Sequence, residues 1–174
     1  MRSWLVVVGV VGAVGLVGKV GNNPTAPTKP SAPTKPTTPT TYHLTKTNDS
    51  LYHLNDWPLP YPVYQFQTGD VDGDGHEDAL VGVVKSTRFH PEQGRRLFIF
   101  KLVNGKARPL WLGSKLGATL IDFRFVDGRV RALETSATGR YAVSDYRWED
   151  FGLRFERFIA NPTDSITAFN IFRQ

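Results

Sequence analysis

The chain has 174 residues, with 21 Lys+Arg against 16 Asp+Glu for a net charge of +5, and 40% of it is hydrophobic. That is room for one ordinary domain. Cysteine is absent, which excludes disulfides, cysteine-ligated zinc and thiol catalysis.

The charge is unevenly spread. Arg2, Lys19, Lys29 and Lys35 precede residue 42, and every acid follows it. From residue 42 onward the balance is 17 Lys+Arg against 16 Asp+Glu, and five of those acids crowd into residues 70–78. A basic isoelectric point would suggest nucleic acid. Here much of the excess belongs to the N-terminal tail, and that suggestion weakens.

The opening "MRSWLVVVGVVGAVGLVG" carries one positive charge and then an apolar run of 15 residues, 4–18. Such a run is short for a spanning helix and suits the core of a signal peptide. Residues 1–21 are therefore expected to be a signal peptide or an uncleaved membrane anchor, and the protein is expected outside the cytoplasm. Residues 22–41 follow with Pro24, Pro27, Pro30, Pro33, Pro36 and Pro39 at a strict period of three. Polyproline II has three residues per turn, so this segment is predicted to be an extended Pro/Thr-rich linker. At about 3.1 Å per residue it reaches roughly 50 Å.

Residues 42–174 carry the composition of a folded domain. From residue 62 onward, short β-rich runs alternate with turn residues. "PVYQFQTG" and "DALVGVVK" flank the acidic loop. "RRLFIFKLV" and "KARPLWL" are joined by Asn104-Gly105, and "TLIDFRFV" and "RVRALET" by Asp127-Gly128. Both dipeptides supply the positive φ values of a type I′ hairpin turn. Two-residue pairing then sets Phe125 opposite Val130 and Phe123 opposite Ala132 on one face, with Arg124 and Arg131 on the other. A third hairpin, "RYAVSDYRW" to "LRFERFI", is expected to have a longer turn. Pro109 marks an edge strand, and "WPLPYP" at 57–62 cannot be a central one. Trp57 and Tyr61 are candidates for an exposed platform. The expected fold is all-β: an antiparallel meander of about eight strands with no helix, a strongly curved sheet or a barrel-like closure, or a relative of a propeller blade.

The acidic loop, "DVDGDGHED", places Asp70, Asp72, Asp74 and Asp78 at positions 1, 3, 5 and 9 of a tight turn, with Gly75 at position 6. A hard dication takes six to eight oxygens at about 2.3–2.6 Å. Four carboxylates this close repel one another unless a cation lies among them. An EF-hand is excluded. Its position 12 requires Glu and here holds Val81, position 8 holds Glu77, and the flanks read as strands.

The pattern D-x-D-x-D-G-x-x-D followed by the apolar strand "ALVGV" resembles the calcium loop of FG-GAP/VCBS-type repeats, the units of integrin-α-like β-propellers and of many bacterial surface proteins. The match covers about 20 of the 174 residues and occurs once. By that resemblance Ca²⁺ would be held by Asp70, Asp72, Asp74, Asp78 and the backbone carbonyl of His76. The chain as a whole looks like small exported bacterial proteins that carry one such loop.

Catalytic patterns are sparse. The spacings H-x-x-x-H and H-E-x-x-H and the elbow G-x-S-x-G do not occur. Glu134 and Asp145 are the candidate carboxylate pair for a glycan-active enzyme. A second candidate surface is Arg124, Arg131, Arg147 and Trp148, where guanidiniums interleave with aromatics. It suits an anionic glycan, a protein partner at the cell surface, or single-stranded nucleic acid on an OB-like barrel. An export signal argues against nucleic acid. The expectation is an exported, surface-tethered, calcium-stabilised β domain with a binding or scaffolding role.

Overall fold

The computed structural model describes residues 41–113 and 115–174. The chain divides into two units, Met1–Pro36 and Thr37–Gln174, and all described residues belong to the second. The expected leader at 1–21 and all but Thr41 of the linker at 22–41 lie outside the described residues.

Alternating apolar and polar residues punctuated by two-residue turns give eleven strands among the described residues. They are β1 (Leu44–Asn48), β2 (Leu51–Leu54), β3 (Trp57–Leu59), β4 (Val63–Gly69), β5 (Asp78–Thr87), β6 (His90–Val103), β7 (Lys106–Leu112), β8 (Thr119–Val126), β9 (Arg129–Thr135), β10 (Tyr141–Glu149) and β11 (Gly152–Thr163). They form three antiparallel meanders: β1–β3, β4–β7 and β8–β11, each pairing its strands in chain order. The mainly β expectation holds. The single sheet of about eight strands does not, and neither does the barrel-like closure: all three sheets are open.

The reason is visible in β5. "ALV" followed by Gly82 and Val83 is apolar on both faces, and a strand buried on both faces needs a layer on each side. Ala79, Val81 and Val83, with Phe98 and Phe100 of β6, pack against Leu54 and Leu59 of the first sheet. Leu80, Leu97 and Ile99 face the other way and pack against Leu120, Phe123, Val130 and Tyr146 of the third. The second sheet is thus sandwiched between the other two. Two glycines let the second and third sheets approach. A Cβ on Gly69 would lie 2.0 Å from the Phe125 ring, and one on Gly82 would lie 2.9 Å from Phe123.

The hairpin readings hold in detail. Asn104 and Gly105 have φ 51° and 75°, and Asp127 and Gly128 have φ 51° and 70°. Phe125 pairs with Val130, Phe123 with Ala132 and Arg124 with Arg131. β7, which carries Pro109, is an edge strand. The β10–β11 turn is shorter than expected: Glu149 pairs with Gly152, and Asp150 takes the positive φ. Trp57 and Tyr61 are half-buried against the β1–β3 side of the core rather than standing free.

An unexpected helix, α1 (Ser165–Arg173), covers the outer face of the third sheet. Asp164 caps it, accepting from Thr167 N at 3.0 Å and Thr167 Oγ1 at 2.7 Å. Ala168 and Phe172, one turn apart, pack on Leu133 and Val143. Among the described residues no helix is long and apolar enough to cross a membrane.

Candidate metal centre

The acidic loop joins β4 to β5. Its backbone is shaped by its own carboxylates. Asp70 accepts from Gly73 N at 2.8 Å and Gly75 N at 2.9 Å. Asp74 accepts from His76 N at 2.9 Å, and Asp78 Oδ2 accepts from Val71 N at 3.0 Å. Gly73 and Gly75 have φ 76° and 85°, values that glycine adopts without strain. Val71, on the inner side of the turn, is buried among the residues between the second and third sheets and anchors the loop to the core.

Three of the expected ligands come together. Asp70, Asp72 and Asp78 each offer a carboxylate oxygen, and these oxygens lie within 4.8 Å of one another. Asp78 is 1% exposed. Among the described residues its Oδ1 and the Oδ1 of Asp72 are buried without a hydrogen-bond partner. Buried polar atoms are normally paired, and the three clustered carboxylates could hold a metal ion. All donors are hard oxygens, the set Ca²⁺ prefers. Burial pushes the Asp78 carboxyl up to about 6, with the neighbouring Asp72 charge adding to the rise.

Of the expected side-chain ligands, Asp74 lies apart; His76 was expected through its backbone carbonyl. The Asp74 carboxylate stands outside the cluster and meets Lys101 Nζ. The His76 side chain is 85% exposed, with Nδ1 3.4 Å from Asp74 Oδ1. Lys101 also lies 2.7 Å from Asp72 Oδ2. Its position follows from register. Ala79 pairs with Phe100, so the next β6 residue flanks Asp78. Burial lowers the Lys101 pKa, but the hydrogen bonds to Asp72 and Asp74 outweigh this and hold it above the usual lysine value. Lys101 is the residue that sequence reasoning missed. A register shift between Lys85 and Thr87 breaks the count from the β5–β6 turn, so no simple hairpin rule reaches it. Beside the loop lies an open groove of about 680 Å³, bordered by Tyr42, Asp74, Glu77, Lys101 and Asn104.

The remaining candidates separate. Alternation along β9 and β10 puts Glu134 on the face of Val130 and Tyr146, toward the second sheet. Asp145 lies on the opposite face, with Arg131. Glu134 accepts from Ala118 N at 2.7 Å and Tyr146 Oη at 2.9 Å. Asp145 accepts from Arg131 Nε at 2.9 Å and Arg157 Nη2 at 2.9 Å. The two carboxylates therefore do not converge. The arginine surface is also divided. Arg124 donates to Phe172 O at 2.9 Å at the end of α1, and Arg131 is held by Asp145. Arg147 is exposed, while Trp148, on the other face of β10, packs into the core between the second and third sheets. Comparisons with family models, curated proteins and solved structures find no match for this chain.

Proposed function

We propose that this protein is an exported or surface-tethered β module whose β4–β5 loop is stabilised by one Ca²⁺, and that its role is binding or scaffolding. The observation that carries the reading is the pair of buried oxygens on Asp72 and Asp78 that have no partner among the described residues, set beside Asp70 at the head of the core strand β5. Asp70, Asp72 and Asp78 would hold the ion, with Asp74 and the His76 carbonyl completing the set by resemblance to the FG-GAP/VCBS loop. The placement of the loop between the first two strands of a four-stranded antiparallel meander supports that resemblance, and so does the face-to-face stacking of successive meanders, which propeller blades share. Bound there, the ion would neutralise the mutual repulsion of the carboxylates and fix the β4–β5 connection. The leader and Pro/Thr linker support export and tethering. The partner would be an anionic glycan or a protein at the cell surface, met in part through the exposed Arg147.

Thermal melts in calcium and in chelator test this. At about 1,000 times Kd, a ligand stabilises the folded state by about 4 kcal/mol, or about 10–20 °C in Tm for a domain of this size. Asp78→Asn should remove that response. In chelator the same variant should melt at or above the wild type at pH 8. Ionised Asp78 is a cost above about pH 6, relieved as pH falls toward the ordinary value of 3.8. Equal wild-type melting with and without calcium would refute the reading.

A further inference from the structure

Lys101 sets a condition on any ion entering the loop. Its Nζ donates to Asp72 Oδ2 at 2.7 Å and to Asp74 Oδ2, and its side chain is about three-quarters buried. One ammonium thereby compensates the outer half of the cluster. The inner half, Asp72 Oδ1 and Asp78 Oδ1, is left without partners among the described residues. A dication takes six to eight oxygens, preferably anionic ones, and two of the loop's carboxylate oxygens are those Lys101 holds. It would also lie within a few ångströms of a positive charge, in a partly buried site where Coulomb repulsion is weakly screened. The two cations therefore oppose each other at the cluster. The lysine stem has somewhere to go, because it borders the groove of about 680 Å³ beside the loop.

Resting on the calcium reading above, we propose that Lys101 is a tethered cation that competes with the dication for the carboxylates of Asp72 and Asp74. It lowers calcium affinity, and it holds the loop in shape when calcium is scarce. Calcium binding is then an exchange of cations, in which the ion enters and the Lys101 ammonium moves out into the groove. The divalent charge wins where a monovalent ion gains nothing over the tethered ammonium.

Calorimetric titration of the full chain with CaCl₂ tests this, comparing wild type, Lys101→Met and Lys101→Arg. Methionine keeps the apolar stem and removes the charge. Lys101→Met should bind calcium about 10- to 100-fold more tightly, the scale of one or two charge-assisted hydrogen bonds released from competition. It should also melt lower than wild type in chelator. Lys101→Arg, which keeps both charge and donors, should bind within about threefold of wild type. A second readout needs no variant. In wild type the Lys101 ammonium should give a protected ¹H–¹⁵N signal in chelator that disappears at saturating calcium. Unchanged or weaker binding by Lys101→Met, with wild type still binding, overturns the competition and leaves the calcium reading standing. A Lys101 signal that persists through calcium saturation does the same. No binding by wild type or either variant overturns both.

Discussion

Replacing Asp145 with Ala should destabilise the protein by about 3 kcal/mol, the lower end of what removing one partner of a buried ion pair costs. Asp145 is 0% exposed and lies between Arg131 and Arg157. Arg131, with a side chain 14% exposed, would be left with its charge uncompensated. Arg157 is 56% exposed, so water screens its loss and it adds little. Burial pushes the Asp145 carboxyl up, but the hydrogen bonds from Arg131 and then Arg157 outweigh it and hold its pKa below the ordinary 3.8. A depressed carboxyl contributes stability above its unfolded value and loses it as pH falls through the folded one. The wild type should therefore lose stability below about pH 4, and Asp145→Asn should show a flatter acid limb. Urea denaturation at pH 7 and pH 3 measures both. A wild-type stability for Asp145→Ala at pH 7 would mean that Asp145 does not bind the sheet to its arginines.

Phe123→Ala should cost about 3–5 kcal/mol. Phe123 is fully buried between the second and third sheets and lies against the bare backbone of Gly82 and the edge of the Tyr64 ring. The glycine and the ring are complementary. Gly82→Ala alone should cost about 1–3 kcal/mol, because its methyl would fall 2.7 Å from Tyr64 and 2.9 Å from Phe123. In a Phe123→Leu background, the same substitution should cost less. Residues in contact couple, and distant ones add. Urea midpoints of the two singles and the double give the coupling directly, and strict additivity would contradict the close approach of the two sheets.

The strand pairs were legible where local chemistry determines them. Asn104-Gly105 and Asp127-Gly128 each demand a two-residue turn, and the registers of β6–β7 and β8–β9 follow from them as far as Phe100–Pro109 and Asp122–Leu133, beyond which each pair shifts. The number of sheets was not legible, because hairpin turns dictate pairing between neighbours and nothing about where one sheet stops. The doubly apolar β5 held the clue to a middle layer, since its residues 79–83 alternate between two cores and are all buried. β1 and β2 were missed because "LTKTN" is mostly polar and "LYHL" is only four residues long, with Leu54 alone buried. The helix was missed although Asp164 followed by Thr167 is an N-cap pattern and Ala168 and Phe172 have helical spacing. Its Ile and Phe content resembles a strand.

At the loop, position in the motif pointed to Asp70, Asp72 and Asp78, which cluster, and to Gly75, which takes a positive φ, because turn geometry is local. Lys101 comes from 23 residues beyond Asp78, across a strand pair whose register is broken by an irregularity. That is tertiary information, and no motif contains it. The division of Glu134 from Asp145 follows from strand parity. It was within reach of the sequence once β9 and β10 were paired.

The most direct test of the account is a crystal structure of the protein soaked in calcium. It should show one ion held by six to eight oxygens at about 2.3–2.6 Å, among them Oδ1 of Asp72 and Oδ1 of Asp78, with Lys101 Nζ moved away from Asp72 and Asp74. A loop that binds no ion in millimolar calcium, with Lys101 still bridging those two carboxylates, would contradict it.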